Sequence, residues 1–103
     1  MYQLCFYVPA SHLESVKQAL FAQGAGQIGN YDCCAWQTLG QGQFRPRTGS
    51  QPVCGTHDTV ETVDEYKVEM VCSNTCLSQV IEALAQSHPY ETPAYSVWPL
   101  ETC

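Results

Sequence analysis

The chain has 103 residues, a formal charge of −6, and only four basic side chains, Lys17, Arg45, Arg47 and Lys67. A phosphate backbone or an anionic membrane surface is held by clustered cations, and these are scattered, so nucleic-acid and membrane-surface roles are excluded. Apolar residues make up 45% of the chain, which argues for a folded chain over a disordered one, and the length fits a single domain spanning 1–103.

The N-terminus reads as a strand over Gln3–Val8, with Leu4, Phe6 and Val8 on one face. It has no basic region and no small-residue cleavage site, so it is not a secretory signal, and no apolar run is long enough to span a bilayer. The expected location is the cytoplasm, where the seven cysteines stay as thiols. The odd count also argues against a closed disulfide framework. A helix follows over His12–Gln23. Ser11 and Glu14 have capping-box spacing, the apolar stripe is Leu13, Val16, Ala19 and Leu20, and Gly24 is the stop.

Gly24-Ala25-Gly26-Gln27-Ile28-Gly29 matches G-x-G-x-x-G by letter. The dinucleotide motif needs a strand before it and a helix after it, and here that order is reversed. A helix stop followed by tight turns is the better account, with the amides around Gly26 and Gly29 as candidates to nest an anion. Ala35–Phe44 is a further apolar-rich segment containing Trp36 and Leu39, with a turn or bulge expected at Gly40-Gln41-Gly42. Residues 45–60 read as irregular loop. A loop that long suggests either an extra hairpin or an arm packed on another subunit.

Tyr66–Cys72 alternates again, with Tyr66, Val68, Met70 and Cys72 on one face. Glu61, Asp64, Glu65 and Glu69 form the solvated side of this strand and its approach. A helix over Cys76–Ser87 is capped by Thr75 or Asn74 and carries the stripe Leu77, Val80, Ile81 and Leu84. Pro89 lies just past its end, and a last strand covers Ala94–Trp98. The two strand–helix segments match each other: Leu4 falls on Val68, Phe6 on Met70, Leu13 on Leu77, Val16 on Val80, Ala19 on Ala83 and Leu20 on Leu84. A duplicated β-α-β unit of this size predicts an α+β fold, the ferredoxin-like split βαβ sandwich, with two helices on one face of an antiparallel sheet. The other face is expected to hold Tyr7, Val71, Tyr95, Val97 and part of the Trp36 strand. So much exposed apolar surface calls for oligomer formation.

The main candidate site is the corner His88-Pro89-Tyr90-Glu91-Thr92-Pro93-Ala94-Tyr95. The prolines stiffen the backbone on both sides of His88, Tyr90 and Glu91, with Tyr95 entering the last strand. On a functional reading, His88 and Glu91 offer ligand or proton-transfer groups, and Tyr90 offers a hydroxyl and a ring. On an architectural reading, His88 bonds carbonyls at the helix end and Glu91 pairs with an amide or a neighbouring subunit. Cys72 and Cys76 bracket the second strand–helix junction, where a thiol in the first helical turn has a lowered pKa suited to thiolate chemistry or a soft metal. Their spacing matches no standard zinc site. Cys33 and Cys34 are adjacent, and a strand would point them to opposite faces, a geometry that makes no chelate. His12, and His57 with Asp58, lack partners at metal-ligand spacing. No nucleophile elbow is present.

Gly24–Asp32, then Gly40-Gln41-Gly42-Gln43-Phe44-Arg45-Pro46, then Gly49, Pro52 and Gly55, then the His88–Tyr95 corner together resemble the domain inserted in YqfO-type Nif-three-like proteins, here standing alone. The corner also resembles the end of CutA, the divalent-ion tolerance protein. The resemblance implies a CutA/PII-like fold, trimers, and ligands held in clefts between subunits. The metal-binding motifs that flank the insert in Nif-three-like proteins have no counterpart here, so their metal centre is not carried over. The expected function is an oligomeric binding or regulatory module, trimeric with a dimer as the alternative. Its ligand would be a small molecule or a divalent metal near His88, Tyr90 and Glu91. The rival expectations are an assembly domain docking on a separate Nif-three-like partner, and a small enzyme using His88 or Glu91 as acid or base.

Overall fold

The computed structural model describes residues 1–51 and 55–101; Pro52, named above, lies outside them. Strand β1 (Tyr2–Val8) leads through a 3₁₀ turn (Ala10–His12) into helix α1 (Leu13–Ala22). Strands β2 (Trp36–Phe44) and β3 (Glu61–Cys72) follow, then helix α2 (Leu77–Ser87) and strand β4 (Tyr95–Pro99). The sheet order is β2-β3-β1-β4 and every pairing is antiparallel. This is the expected α+β, ferredoxin-like arrangement, in which each crossover helix packs back on the same face of the sheet.

The core is where the two period-two strands meet the two helical stripes. Leu4, Phe6 and Val8 of β1 and Val68, Met70 and Cys72 of β3 lie under Leu13, Val16 and Leu20 of α1 and Val80 and Leu84 of α2. Most of these side chains are wholly out of solvent, each stabilising the fold by about 1.5–3 kcal/mol through burial. Gly24 ends α1 with φ +101°, and the Gly24 amide bonds the Phe21 carbonyl, as a glycine stop should. Among the described residues no helix is long and apolar enough to cross a membrane.

Several details differ from the sequence expectation. The capping box does not form: α1 has no side-chain cap, because the 3₁₀ turn moves the helix start past Ser11, whose hydroxyl meets His12 Nδ1 instead. Neither Thr75 nor Asn74 caps α2, since Cys76 occupies that position. Asn74 Oδ1 accepts from the Met1 amine, and Thr75 bonds Ser73. No turn occurs at Gly40-Gln41-Gly42, which runs straight through β2 opposite Glu65, Asp64 and Val63. Gly42 has a packing reason to lack a side chain, because the Glu65 carboxylate lies where its Cβ would stand.

Residues of an antiparallel pair share a face. Val97 lies opposite Leu4 and Tyr95 opposite Phe6, so these two belong to the helix side, and Val97 packs on the core. The open face instead carries Trp98, opposite Gln3, together with Cys5, Tyr7, Lys67, Glu69 and Val71, and Trp36, opposite Glu69. Both tryptophans are exposed.

β1 pairs with β3 only from Tyr66 onward. Glu61–Glu65 pair with β2 alone, so this end projects as a two-stranded ribbon. It gives the molecule its length of 46 Å against 24 Å in the other two directions. The described part of residues 45–60 joins the two ribbon strands through turns: the Ser50 amide bonds the Arg47 carbonyl, and the Asp58 amide bonds the Pro46 carbonyl.

Candidate functional site

His88 terminates α2. Its amide still bonds the Leu84 carbonyl, but its own backbone is extended, as a residue before proline requires. The chain then folds back under the end of β1. The β1–β4 ladder stops at Phe6 and Tyr95, with one further bond from the Tyr7 amide to the Ala94 carbonyl. The Tyr7 carbonyl is left beyond the ladder, and His88 Nε2 meets it at 2.6 Å. A carbonyl can only accept, so Nε2 carries the proton. Nδ1 then presents its lone pair and accepts from the Tyr90 amide at 3.1 Å. His88 is 6% exposed, and its ring tilts against the Tyr90 ring with centroids 5.0 Å apart. Burial lowers its pKa from 6.5, against an opposing contribution from the Tyr7 carbonyl. In this fold the imidazole is a neutral latch with both nitrogens engaged by main chain, and it offers no lone pair to a metal or substrate.

Tyr90, beside His88, and Glu91 face open space. They line a cavity of about 330 Å³ on the open sheet face. It is lined by Tyr7, Val63 and Glu65 of the sheet, by the corner residues Tyr90–Thr92 with Ala94, and by Gln43 to Arg47 with Ser50. Glu91 ties the corner to the segment after Ser50: its Oε2 accepts from the Gln51 amide at 3.1 Å. Ser50 is fixed in turn, its hydroxyl donating to the Arg47 carbonyl at 2.7 Å while its own carbonyl meets His57 Nε2 at 2.8 Å. Burial pushes the Glu65 carboxyl above its ordinary value. The cavity lining therefore includes two arginines, two glutamates and the apolar bulk of Phe44, Tyr7 and Val63 around one space. That mixture suits a small organic molecule with an anionic group.

The structure brings together only part of the sequence-predicted set. Tyr90 and Glu91 reach the cavity. Tyr95 lies on β4, on the helix side and 45% exposed. Gly26 and Gly29 follow α1, outside the cavity lining. The Gly26 amide is already used on the Val71 carbonyl at 2.8 Å, so it cannot nest an anion. Cys72 and Cys76 stand at the β3–α2 junction. Among the described residues no group of three or more His, Cys, Asp or Glu side chains is close enough to hold a metal ion. Sequence reading missed Tyr7, Phe44, Arg45, Arg47 and Glu65 as cavity residues. The only available signal was that two of the four cations sit together beside Pro46.

The architecture defines a ferredoxin-like α+β module of the CutA-like type. The structure superposes on CutA from Archaeoglobus fulgidus, a periplasmic divalent cation tolerance protein, with TM-score 0.71 over 100% of this chain and 87% of the other at 15% identity. A Nostoc protein described as a PII-like CutA gives TM-score 0.70 over 98% and 82% at 15% identity. At those identities the likeness is one of fold. A Bacillus cereus protein related to NIF3 is nearer in sequence, with TM-score 0.85 and 36% identity over 98% of this chain and 26% of that one. The proteins named GTP cyclohydrolase 1 type 2 homolog match as well. The one from Halalkalibacterium halodurans is 40% identical over 97% of this chain and 27% of its own length. That of Mycobacterium tuberculosis is 42% identical over 91% and 25%. The chain is thus a relative of the YqfO-type, Nif-three-like proteins, and it spans about a quarter of the length of the curated relatives it matches. No family model matches the chain.

Proposed function

We propose that this chain is a cytoplasmic, self-associating binding module. Its ligand is a small organic molecule carrying an anionic group, held in the open-face cavity at a subunit boundary. The observation that carries the reading is the convergence of Arg45, Arg47, Glu65, Tyr90 and Glu91 on one 330 Å³ space. Cavities of this size take small molecules, and paired arginines suit planar anions. Of the two ligand classes expected from the sequence, the donor set favours the organic one over a divalent metal.

Self-association is supported by the uncovered sheet face with Trp36 and Trp98 and by the projecting ribbon, since a two-stranded ribbon alone is marginally stable in water. A trimer is the first choice and a dimer the alternative. A second reading has its own support. Because related segments form about a quarter of longer proteins, this one would assemble with the remainder of a Nif-three-like protein. The activity in the relatives' name belongs to those longer proteins and is not assigned to this segment.

Native mass spectrometry of the untagged chain tests the proposal, first as purified and then with zinc, copper and GTP as probes. The expected result is an oligomer that retains a small molecule or takes up GTP, with uptake lost in Arg45→Ala/Arg47→Ala. A monomer throughout, or an empty oligomer indifferent to every probe, would overturn the reading and redirect the search to protein partners.

A further inference from the structure

At the opposite end of the sheet from the cavity, β3 delivers Cys72 to the junction with α2, and Cys76 opens that helix. Their sulfurs are 3.2 Å apart. A disulfide bond is about 2.05 Å long, so closing it asks the sulfurs to approach by roughly 1 Å. The two sites differ in kind. Cys72 is 1% exposed and sits in the core. Cys76 is half-buried, stands at the N-terminal end of an 11-residue helix, and lies against Gly24, where a Cβ would come within 3.5 Å of its sulfur. The Ser73 hydroxyl is 3.3 Å from Cys76 Sγ, so Cys76 sulfur can take hydrogen bonds from both Ser73 and Cys72.

The surroundings separate the two ionisations. Burial, reinforced by the bond to Cys76, pushes the Cys72 thiol up to about 12. Burial also acts against ionisation of Cys76, but hydrogen bonds from the Ser73 and Cys72 side chains and from the main chain of Ser73 and Cys76 together outweigh it and hold that thiol below its ordinary value. A helix N-terminus favours a thiolate for the same electrostatic reason.

We propose that Cys72 and Cys76 form a reversible thiol–disulfide exchange site for low-molecular-weight disulfides, with Cys76 as the attacking thiol and Cys72 as the resolving one. The Cys76 thiolate attacks one sulfur of a small disulfide RSSR. The S–S bond breaks, RS⁻ departs with the bonding pair, and Cys76 is left in a mixed disulfide. The Cys72 thiol gives its proton to the departing thiolate and attacks Cys76 sulfur, expelling the second R group, which leaves as a thiol once it gains a proton. The protein dithiol has lost two electrons and RSSR has been reduced to two RSH. Excess RSH runs both steps backward.

The test uses the full chain in buffers of oxidised and reduced glutathione, quenched with acid, alkylated and peptide-mapped by mass. The expected product is a Cys72–Cys76 crosslink that has lost two hydrogens, grows with the oxidised fraction, and disappears in excess reduced glutathione. Cys72→Ser should stop at a glutathione adduct on Cys76. Cys76→Ser should leave Cys72 unmodified, while exposed Cys33 reports ordinary thiol reactivity in every sample. The proposal fails if no crosslink forms at any ratio. It also fails if Cys72→Ser carries no more adduct on Cys76 than on Cys33, with circular dichroism showing that variant folded.

Discussion

Replacing His88 by alanine should cost the fold far more than an exposed substitution would. The residue is 6% exposed, and its ring makes two hydrogen bonds to main chain, to the Tyr7 carbonyl and from the Tyr90 amide. Each bond contributes about 1 kcal/mol net, and a buried carbonyl left without a partner adds about 1–3 kcal/mol. With some relaxation the expected loss is about 2–4 kcal/mol, or about 8–16 °C in Tm at about 4 °C per kcal/mol for a domain of this size. Urea denaturation at pH 7.5 measures it. The same latch has a pH signature. The fold lowers the His88 pKa below 6.5, so as pH falls the unfolded chain takes up this proton first. The contribution is therefore complete above pH 6.5 and is lost as pH falls through the folded value. Wild type should lose stability between pH 7.5 and 5.5, and His88→Gln, which does not titrate, should lose less. A His88→Ala variant within about 0.5 kcal/mol of wild type, the scatter of surface substitutions, or a His88→Gln variant with the wild-type pH slope, would refute the latch.

Gly26→Ala should destabilise the chain by about 1–3 kcal/mol, because φ is +80° and an added Cβ would press on the Phe21 ring and the Cys34 carbonyl; the urea midpoint reports this. Glu65→Gln should be stabilising at pH 7. Burial raises the Glu65 carboxyl above 4.5, so its favourable contribution belongs to the neutral form, is present below that pH, and is lost as pH rises through the folded value. The advantage of the glutamine variant over wild type should accordingly shrink toward pH 4. Trp36→Ser combined with Trp98→Ser removes the large exposed aromatics of the open face. Sedimentation velocity should show a smaller species than wild type, and an unchanged sedimentation coefficient with a wild-type oligomer would mean the subunits meet elsewhere.

Local pattern was enough to determine the order of elements. Period-two alternation in Leu4–Val8 and Tyr66–Cys72, and the stripes through Leu13–Leu20 and Leu77–Leu84, predict the buried faces that the core contains, because a strand or helix buries whatever its own period places on one side. Glycine's left-handed backbone likewise made the stop at Gly24 legible. Register is not a local property. Whether Gly40–Gly42 turns or continues depends on β3 lying beside it, and the face assigned to Tyr95 and Val97 depends on which β1 residue stands opposite. The site divides in the same way. Two prolines made the His88–Pro93 corner visible as a stiff presenter of polar groups. Only the folded chain set the Tyr7 carbonyl against His88, which turned a candidate ligand into a latch. Only the folded chain brought Arg45 and Arg47 to the same cavity as Tyr90 and Glu91, since residues that far apart in sequence are joined by sheet pairing and not by any repeat the sequence displays.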